Sequence, residues 1–490
     1  MESSTLTKEG DAMSEQIDSL NISTSIIQNF SLKLANGYKD IELIANNSVK
    51  ILVAENGAGK TTLLNTLYSI LIGGYRLFLS AEFEELKLTI SGKSWEHKRS
   101  EFSPITDEVY RELIKLDIWQ RMELTPPSKI EAEELILATA DGDDNAIENT
   151  RYYAKEYVQH RFPSSFLKSN LQSLDLRLSA GAIRKKNDNF KKFTAEVQAA
   201  LDGHTVLYLP TYRRIEALLP EYRIKQGSTR RSPQFRRRSQ PTQLIHFGLQ
   251  DVEIRLSEMA EEIRRTTVRA FSQINARTLD DLVFGNYKRN VEDSSPINLE
   301  SLQVVLGRLG RNDETTRRRM EKLISSGEIN DEENIYLKSF LDQLMHTYAS
   351  TQDRESAIEA FIEVINSYWL DEINEKCFMF DKASAEAKVE NTYTGKKLPL
   401  EALSSGEKQI ISIFARLYLE PEQNVIVLID EPELSLSMEW QMKFLPDIVK
   451  AKSCSQLIAI THSPFIFKNE LRPYAGDLKV LRYKKHELNG

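Results

Sequence analysis

Cysteine is scarce in this chain, and the little there is does not occur in pairs. Among 490 residues there are 2 cysteines, Cys377 and Cys454. They lie far apart and neither belongs to a CxxC pattern, so neither a disulfide framework nor a cysteine-based zinc cluster is supported. This low usage predicts a protein of the reducing cytoplasm.

Long apolar runs and a leader segment are missing as well. No run reaches the roughly 20 apolar residues that are needed to cross a bilayer. Residues 1–19 are polar and include Glu9, Asp11, Glu15 and Asp18, which fits neither a signal peptide nor a transit peptide. We therefore expect residues 1–20 to be a disordered N-terminus and the protein to be soluble, without a membrane partner.

Positive charge is in deficit, with 64 Lys and Arg residues against 72 Asp and Glu residues and a formal net charge of -8. This balance argues against a protein coated with nucleic acid but allows one local basic patch. The Gly, Ser and Pro content of residues 223–238 predicts a flexible loop. Its basic residues are Arg223, Lys225, Arg230, Arg231, Arg236, Arg237 and Arg238. They predict contact with nucleic acid or an acidic partner, the alternative being a merely solvated loop.

Histidine patterns of metal-dependent nucleases are also absent. The 7 histidines are scattered, and none forms an HExxH or HNH-like pattern. The segment after Thr461 is short, which leaves no room for a C-terminal TOPRIM nuclease. We expect no nuclease activity in this chain, so that any cleavage of nucleic acid comes from a partner.

The two ends of the chain show an α/β pattern. Apolar alternation predicts strands at residues 25–34, 39–44 and 49–54, a helix at 60–72, and two more strands within 83–102. Towards the other end, helices are predicted at 407–419 and 438–451, and unbroken apolar strands at 425–429 and 457–460. Unbroken apolar strands are typical of a parallel sheet that is covered by helices on both faces.

These patterns predict one α/β domain, formed by residues 21–105 and 382–490, with a mixed or parallel sheet flanked by helices. Residues 106–381 predict a large, mainly helical insertion, with helices at 252–275, 315–323, 331–349 and 357–370. A short apolar strand at 206–209 precedes Arg213 and Arg214. These arginines predict a basic helix start that packs on the core, the alternative being that one of them lies near a nucleotide.

A glycine-rich segment joins the third predicted strand to the first predicted helix. Its sequence is Ala54-Glu55-Asn56-Gly57-Ala58-Gly59-Lys60-Thr61-Thr62. Strand, loop and helix in this order are the context of a phosphate-binding loop, in which glycines and a helix N-terminus present N–H groups to phosphate oxygens. Lys60 would bind the β- and γ-phosphates of ATP, and the Thr61 hydroxyl would bind Mg²⁺. Asn56, Gly57, Ala58, Gly59 and Thr62 would complete the phosphate site.

A second motif follows the apolar strand at 425–429. Asp430 at the strand end would hold Mg²⁺. Glu431 beside it would orient and deprotonate the attacking water. The alternative, a buried strand that ends in a solvated acidic turn, loses weight because a phosphate-binding loop is present in the same chain.

Together these motifs resemble those of ABC-type ATPases of the RecF, OLD and SMC-like branch. The Asp-Glu-Pro-Glu sequence at 430–433 is similar to their Walker B motif, Leu403-Ser404-Ser405-Gly406-Glu407 to their signature, residues 434–437 to their D-loop, and Thr461-His462-Ser463-Pro464 to their switch loop. The resemblance implies that two copies pair head to tail around ATP. Ser404, Ser405 and Gly406 of one copy would contact the γ-phosphate on the other copy, and His462 would contact the γ-phosphate and the attacking water.

Some positions depart from this pattern. Ala54 replaces the first glycine of the loop, Ser405 and Glu407 replace Gly and Gln of the signature, and Ser437 stands where related chains often have His. The departures at Ala54 and Ser437 favour slow turnover, or a structural scaffold that binds ATP with little turnover.

The chain is most similar to the PtuA ATPase subunits of Septu and retron anti-phage systems, with the AriA subunit of PARIS as the second choice. The first resemblance implies a partner HNH nuclease and a higher oligomer of dimers; the second implies a TOPRIM nuclease. A RecF-like repair ATPase that acts directly on DNA is the alternative.

Overall fold

The computed structural model describes residues 22–102, 107–121, 123–141, 147, 150, 171, 176–210, 249–284, 298–309, 314–369, 375–420 and 424–484. The predicted disordered N-terminus, Arg213, Arg214 and the basic loop at 223–238 lie outside these described residues. The chain forms two compact units. The first takes its described residues from 1–245, 424–450 and 454–490, and the second from 246–423 and 451–453.

The helices and strands are named here in chain order. The first part of the chain contains β1 (Ile27–Ala35), β2 (Lys39–Ile44), β3 (Val49–Val53), α1 (Lys60–Ile72), α2 (Tyr75–Leu79), β4 (Glu85–Ile90), β5 (Lys93–Lys98), α3 (Asp107–Ile114), α4 (Ile118–Arg121), α5 (Lys129–Asp141), α6 (Leu176–Ala200) and β6 (Thr205–Leu209). The rest contains α7 (Leu249–Phe284), α8 (Leu299–Arg308), α9 (Glu314–Ser325), α10 (Ile335–Trp369), β7 (Lys376–Asp381), β8 (Glu386–Asn391), β9 (Lys397–Leu398), α11 (Ser405–Tyr418), β10 (Val425–Asp430), α12 (Met438–Lys450), β11 (Cys454–Thr461), β12 (Ala475–Asp477) and β13 (Lys479–Arg482).

A parallel sheet with the strand order β12-β3-β11-β10-β6 forms the core of the first unit. All residues of β10 are buried, as expected for a strand that is covered on both faces. Helix α1 packs against β10, and helix α12 packs against β11. Because β11 lies between β3 and β10, the carboxyl ends of these three strands meet at one edge of the sheet.

An antiparallel sheet with the order β13-β2-β1-β4-β5 completes the first unit. Burial alternates along β2, so that Lys39, Ile41 and Leu43 face inward together. The two sheets are joined by the buried Gln456 amide, whose oxygen accepts from Ile27 N at 2.8 Å and whose nitrogen donates to Ser25 Oγ at 2.6 Å.

The second unit contains α7 to α11 and a small antiparallel sheet with the order β7-β8-β9. Within it, Arg308 and Glu355 form an ion pair at 2.8 Å, with side chains only 1% and 2% exposed. Thr351 donates to Glu355 at 2.7 Å. A buried carboxylate needs such partners to offset its lost hydration.

The structure confirms the predicted α/β fold with a parallel sheet and a large helical region. Strand 39–44 and helix 60–72 have the predicted bounds. In contrast, the two helices expected at 331–349 and 357–370 are parts of one helix, α10. The segment between the two predicted helices includes Thr351 and Glu355, which are buried near Arg308.

Two other features differ from the sequence-based expectation. Strand β6, expected in the insertion, pairs in parallel with β10 in the sheet of the first unit. The signature residues 403–407 belong to the second unit, and the sheet β7-β8-β9 before them was not predicted. The compact units therefore divide the chain at other points than the predicted domain boundaries. No helix among the described residues is long and apolar enough to cross a bilayer.

Candidate nucleotide-binding site

The phosphate-binding loop lies between β3 and α1. Gly57 and Gly59 have φ angles of 80° and 99°, in the left-handed region that favours glycine. A Cβ atom on Gly59 would also come within 2.4 Å of Ile41 Cδ1, so a larger residue there would displace the end of the Ile41 side chain. Ala54 is not among the described residues with positive φ, which explains why alanine fits there. Helix α1 has no side-chain cap, and its first N–H groups can therefore bind an anion.

Lys60, the first residue of α1, lies against Glu431 at the end of β10. The distance from Lys60 Nζ to Glu431 Oε1 is 3.1 Å, and the side chains are 5% and 19% exposed. Glu431 has a φ of 54°, an uncommon conformation for a residue with a side chain, and its N–H donates to Ile460 O at 2.8 Å. The carboxylate thus occupies the partner position that a phosphate of ATP would take on Lys60.

Thr61 and Asp430 form the second pair across the same gap. Thr61 Oγ1 donates to Asp430 Oδ2 at 2.6 Å, and Asp430 is 2% exposed. A hydroxyl and a carboxylate are hard oxygen donors of the kind that Mg²⁺ prefers, next to the place where phosphate oxygens would supply further ligands. These two residues therefore fit the predicted metal site, where Mg²⁺ would neutralise phosphate charge during hydrolysis.

The switch loop after β11 is held by Glu433, the second glutamate of the Asp-Glu-Pro-Glu motif. Its carboxylate lies 2.8 Å from His462 Nδ1 and accepts from Thr461 Oγ1 at 2.7 Å and from His462 N at 3.1 Å. Glu433 is buried, whereas the His462 side chain is 46% exposed. The imidazole is thus anchored on one edge and open on the other.

Residues 434–437, in the D-loop position, are held by the side chains of Ser437 and of Gln441 in α12. Ser437 Oγ accepts from Trp440 N at 3.2 Å, which makes Ser437 the cap of α12 and gives a physical reason for serine at this position. Gln441 Nε2 donates to Leu436 O at 3.1 Å, and its oxygen accepts from Ser463 Oγ at 2.8 Å. One amide side chain thereby connects the D-loop to the switch loop.

A buried lysine from the neighbouring sheet supports the phosphate-binding loop. Lys39 is 2% exposed, and its Nζ donates to Gly57 O at 2.8 Å. A Cβ atom on Gly59 would come within 3.2 Å of the same nitrogen. Lys39 therefore places a second cation beside the loop, in addition to Lys60.

In the second unit, the signature residues form the start of α11. Ser404 is the N-cap, and a capping box links it to Glu407: Ser404 Oγ accepts from Glu407 N at 3.4 Å, and Ser404 N donates to Glu407 Oε2 at 2.6 Å. Lys376 of β7 donates to the same carboxylate at 3.0 Å. Burial alone would raise the pKa of the Glu407 carboxyl, but these hydrogen bonds outweigh it and the pKa lies below its ordinary value.

Glutamate at 407, in place of the expected glutamine, is therefore explained by its ion pair with Lys376. Ser404 and Ser405 are exposed and Gly406 is buried. Because Ser404 Oγ uses its lone pair as the cap acceptor, its hydroxyl hydrogen remains available to a phosphate oxygen.

The structure brings four predicted site residues together, Lys60, Thr61, Asp430 and Glu431, and His462 follows the strand between them. Asn56, Gly57, Ala58, Gly59 and Thr62 form the loop and the start of α1 around Lys60. Sequence reasoning missed Lys39, Glu433 and Gln441. Glu433 could have been found as the second glutamate of Asp-Glu-Pro-Glu. The alternation of β2 places Lys39 on the inward face, but no motif connects Lys39 to a phosphate site, and nothing in the sequence pattern distinguished Gln441.

A phosphate-binding loop, two strand-end carboxylates and a parallel sheet define a P-loop ATPase head. The chain belongs to the AAA ATPase domain family, whose profile matches residues 21–467. No curated protein is significantly similar to the chain in sequence.

Solved structures similar to the chain include Smc heads. An Smc head bound to the C-winged helix domain of ScpA matches at 16% identity with a TM-score of 0.20, over 30% of this chain and 48% of that one. The Pyrococcus furiosus Smc head domain with an extended coiled coil, bound to the C-terminal domain of ScpA, matches at 12% identity with a TM-score of 0.31, over 94% of this chain and 96% of that one. The Pyrococcus yayanosii Smc head domain with a coiled coil and joint matches at 14% identity with a TM-score of 0.28, over 96% of this chain and 98% of that one. Because these TM-scores are low, the fold assignment depends on the family match and the observed sheet.

Proposed function

We propose that the protein binds Mg-ATP and hydrolyses it at the site formed by Lys60, Thr61, Asp430 and Glu431. The observation that carries the proposal is a pair of contacts between the phosphate-binding loop and the end of β10. Lys60 lies 3.1 Å from Glu431, and Thr61 lies 2.6 Å from Asp430. ATP would displace Glu431 from Lys60, since the phosphates carry more negative charge than one carboxylate. The released carboxylate would then accept a proton from the water that attacks the γ-phosphate.

Nucleotide binding and phosphate release by three variants test this proposal. Lys60→Ala should lose ATP binding, whereas Glu431→Gln should bind ATP and release phosphate at least about 100-fold more slowly. Lys87→Ala, an exposed lysine of the same unit, is the matched control. Wild-type protein that does not bind ATP, or Lys60→Ala that binds it normally, would overturn the proposal; tight binding without turnover in the wild type would favour the structural scaffold.

We further propose that ATP joins two copies head to tail. The exposed Ser404 and Ser405 of one copy would approach the γ-phosphate on the loop of the other, where the helix N-terminus of α11 favours an anion. Ser404, Ser405 and Gly406 would thus complete the site in trans, and the dimers would assemble further.

The biological role that we propose is control of a partner nuclease in anti-phage defence, with an HNH enzyme favoured over a TOPRIM enzyme. Its support is the resemblance of residues 208–214 and of the basic loop at 223–238 to PtuA-type subunits, because the ATPase motifs alone are similar to both PtuA and AriA. Co-expression with the adjacent reading frame and phage plaque counts test the role. We expect protection that Lys60→Ala abolishes. Salt-sensitive DNA binding by the isolated chain, without such a partner, would instead favour a RecF-like function.

A further inference from the structure

The Asp-Glu-Pro-Glu motif contains two glutamates with different surroundings, and only Glu431 has a role in the proposed reaction. We propose that Glu433 is a positioning residue, which holds His462 with its Nδ1 protonated and reserves Nε2 for the attacking water or the γ-phosphate. This proposal rests on the proposed ATPase function of the site. Its structural part, the protonated nitrogen, can be measured without turnover.

The proposal begins with the donors that surround the Glu433 carboxylate. Oε1 receives the backbone N–H of His462 at 3.1 Å and lies 2.8 Å from His462 Nδ1, while Oε2 receives Thr461 Oγ1 at 2.7 Å. An ionised carboxylate can only accept hydrogen bonds. A hydrogen on Nδ1 would be attracted to the negative charge of Oε1, whereas a lone pair on Nδ1 would be repelled by it, so the 2.8 Å contact favours hydrogen on Nδ1.

This constraint leaves two chemical states for the ring. The neutral ring has a lone pair on Nε2, which can accept a hydrogen from the attacking water. A doubly protonated ring can donate from Nε2 to a phosphate oxygen. The third state, a neutral ring with hydrogen on Nε2, is disfavoured because its Nδ1 lone pair would lie 2.8 Å from the Glu433 carboxylate. Buried carboxylates commonly select the tautomer of a functional histidine in this way.

The backbone of Glu433 is itself held in place by the side-chain amide of Gln441. Gln441 Nε2 donates to Glu433 O at 3.4 Å as well as to Leu436 O, and Gln441 Oε1 accepts from Ser463 of the switch loop. The D-loop backbone, Glu433 and the residues flanking His462 are thus connected through one amide. A displacement of the D-loop, as expected when a second copy contacts it, would reach the imidazole through these bonds.

The two glutamates are therefore not interchangeable. Glu431 is 19% exposed and faces Lys60, whereas Glu433 is buried and faces the backbone and ring of the switch loop. Loss of Glu431 should remove the base, and loss of Glu433 should leave the base in place with a misoriented histidine.

Steady-state kinetics provide the first test. Glu433→Gln should bind ATP normally and lower kcat about 10–100-fold with little change in KM. In a double-mutant cycle, adding His462→Ala to Glu433→Gln should cost little more, because both changes remove the same function. Glu355→Gln, which alters a buried carboxylate of the second unit, should lower thermal stability without this selective loss of kcat. Additive effects, or equal losses in ATP binding and kcat, would overturn the proposal.

A spectroscopic measurement provides the second test and needs no turnover. In protein labelled with ¹⁵N-histidine, the signals of His462 are assigned by comparison with His462→Gln. We expect hydrogen on Nδ1 in the wild type, alone or together with Nε2, and a shift toward hydrogen on Nε2 in Glu433→Gln. A neutral wild-type ring with hydrogen on Nε2 would contradict the proposal. The proposed ATPase function would survive that result as long as Lys60→Ala still abolishes ATP binding.

Discussion

The contact between Lys60 and Glu431 sets the chemistry of the site at the level of single residues. The loop lysine and the expected catalytic base form an ion pair at 3.1 Å. Glu431 therefore lies where a phosphate would contact Lys60, and Lys60 lies beside the carboxylate that would bind the attacking water. ATP binding would break this pair and release the base in one step. In the proposed reaction, this exchange would link ATP binding to activation of Glu431.

A substitution of the base tests this link. Glu431→Gln removes both the competitor for Lys60 and a negative charge near the γ-phosphate. We expect ATP to bind about 5–10-fold more tightly, which corresponds to about 1 kcal/mol of a lost charged contact. Titration calorimetry measures the affinity. Weaker binding by Glu431→Gln than by wild type would show that the ion pair does not compete with ATP.

Lys39 offers a second test at this scale. Lys39→Met keeps the buried volume but removes the donor to Gly57 O, and we expect ATP affinity to fall about 5–10-fold. Lys87→Met, at an exposed position of the same antiparallel sheet, should have no effect. Equal affinities of the Lys39 and Lys87 variants would remove Lys39 from the site.

The limits of sequence reasoning also differ between residues. Lys60, Thr61, Asp430 and Glu431 were predictable because their spacing follows strands and helices that the apolar pattern already indicates. Glu433 could be seen in its motif, but its contact with His462 depends on the pairing of β10 with β11. Lys39 was hidden because a single lysine at an inward position has no motif of its own.

The start of α11 is the feature that matters most at the scale of secondary-structure elements. A capping box fixes its first turn, and Lys376 connects Glu407 to the small sheet of the second unit. The serine hydroxyl that would contact a phosphate is therefore presented by a stabilised helix end.

The lowered pKa of Glu407 predicts how this helix start responds to acid. A carboxyl whose pKa is lower in the folded state stabilises the protein above its ordinary pKa of 4.5, and this contribution is lost as the pH falls through the folded-state pKa. Glu407→Gln should therefore lower the free energy of unfolding by on the order of 1 kcal/mol at pH 7. Thermal melting at several pH values should show this difference shrinking below pH 4.5. A difference that is constant across pH, or equal to that of the exposed Glu401→Gln, would contradict this role for Glu407.

The apolar pattern of the sequence predicted the bounds of some elements correctly but divided helix α10 into two. The strand 39–44 and the helix 60–72 follow simple apolar periodicity. Helix α10 was predicted as two helices, and the segment between them holds Thr351 and Glu355, which are buried near Arg308. Their contacts with Arg308 form only in the folded chain, so the apolar pattern did not indicate one continuous helix.

At the scale of the whole molecule, the sequence correctly predicted an α/β fold with a parallel sheet and a large helical region. The compact units were less predictable, because their boundaries depend on long-range pairing such as that of β6 with β10. The consequence for function is that the Walker motifs belong to one unit and the signature to the other. The proposed pairing of two copies would bring a signature to each loop.

Mixing two inactive variants tests this central claim most directly. Lys60→Ala has a defective loop, and Ser404→Arg has a defective signature, so each should be inactive alone. A mixed dimer holds one intact composite site, and random mixing should restore about a quarter of wild-type phosphate release, because half of the dimers are mixed and each has one active site of two. No recovery, with both variants folded and the wild type active, would contradict an ATP site shared between copies.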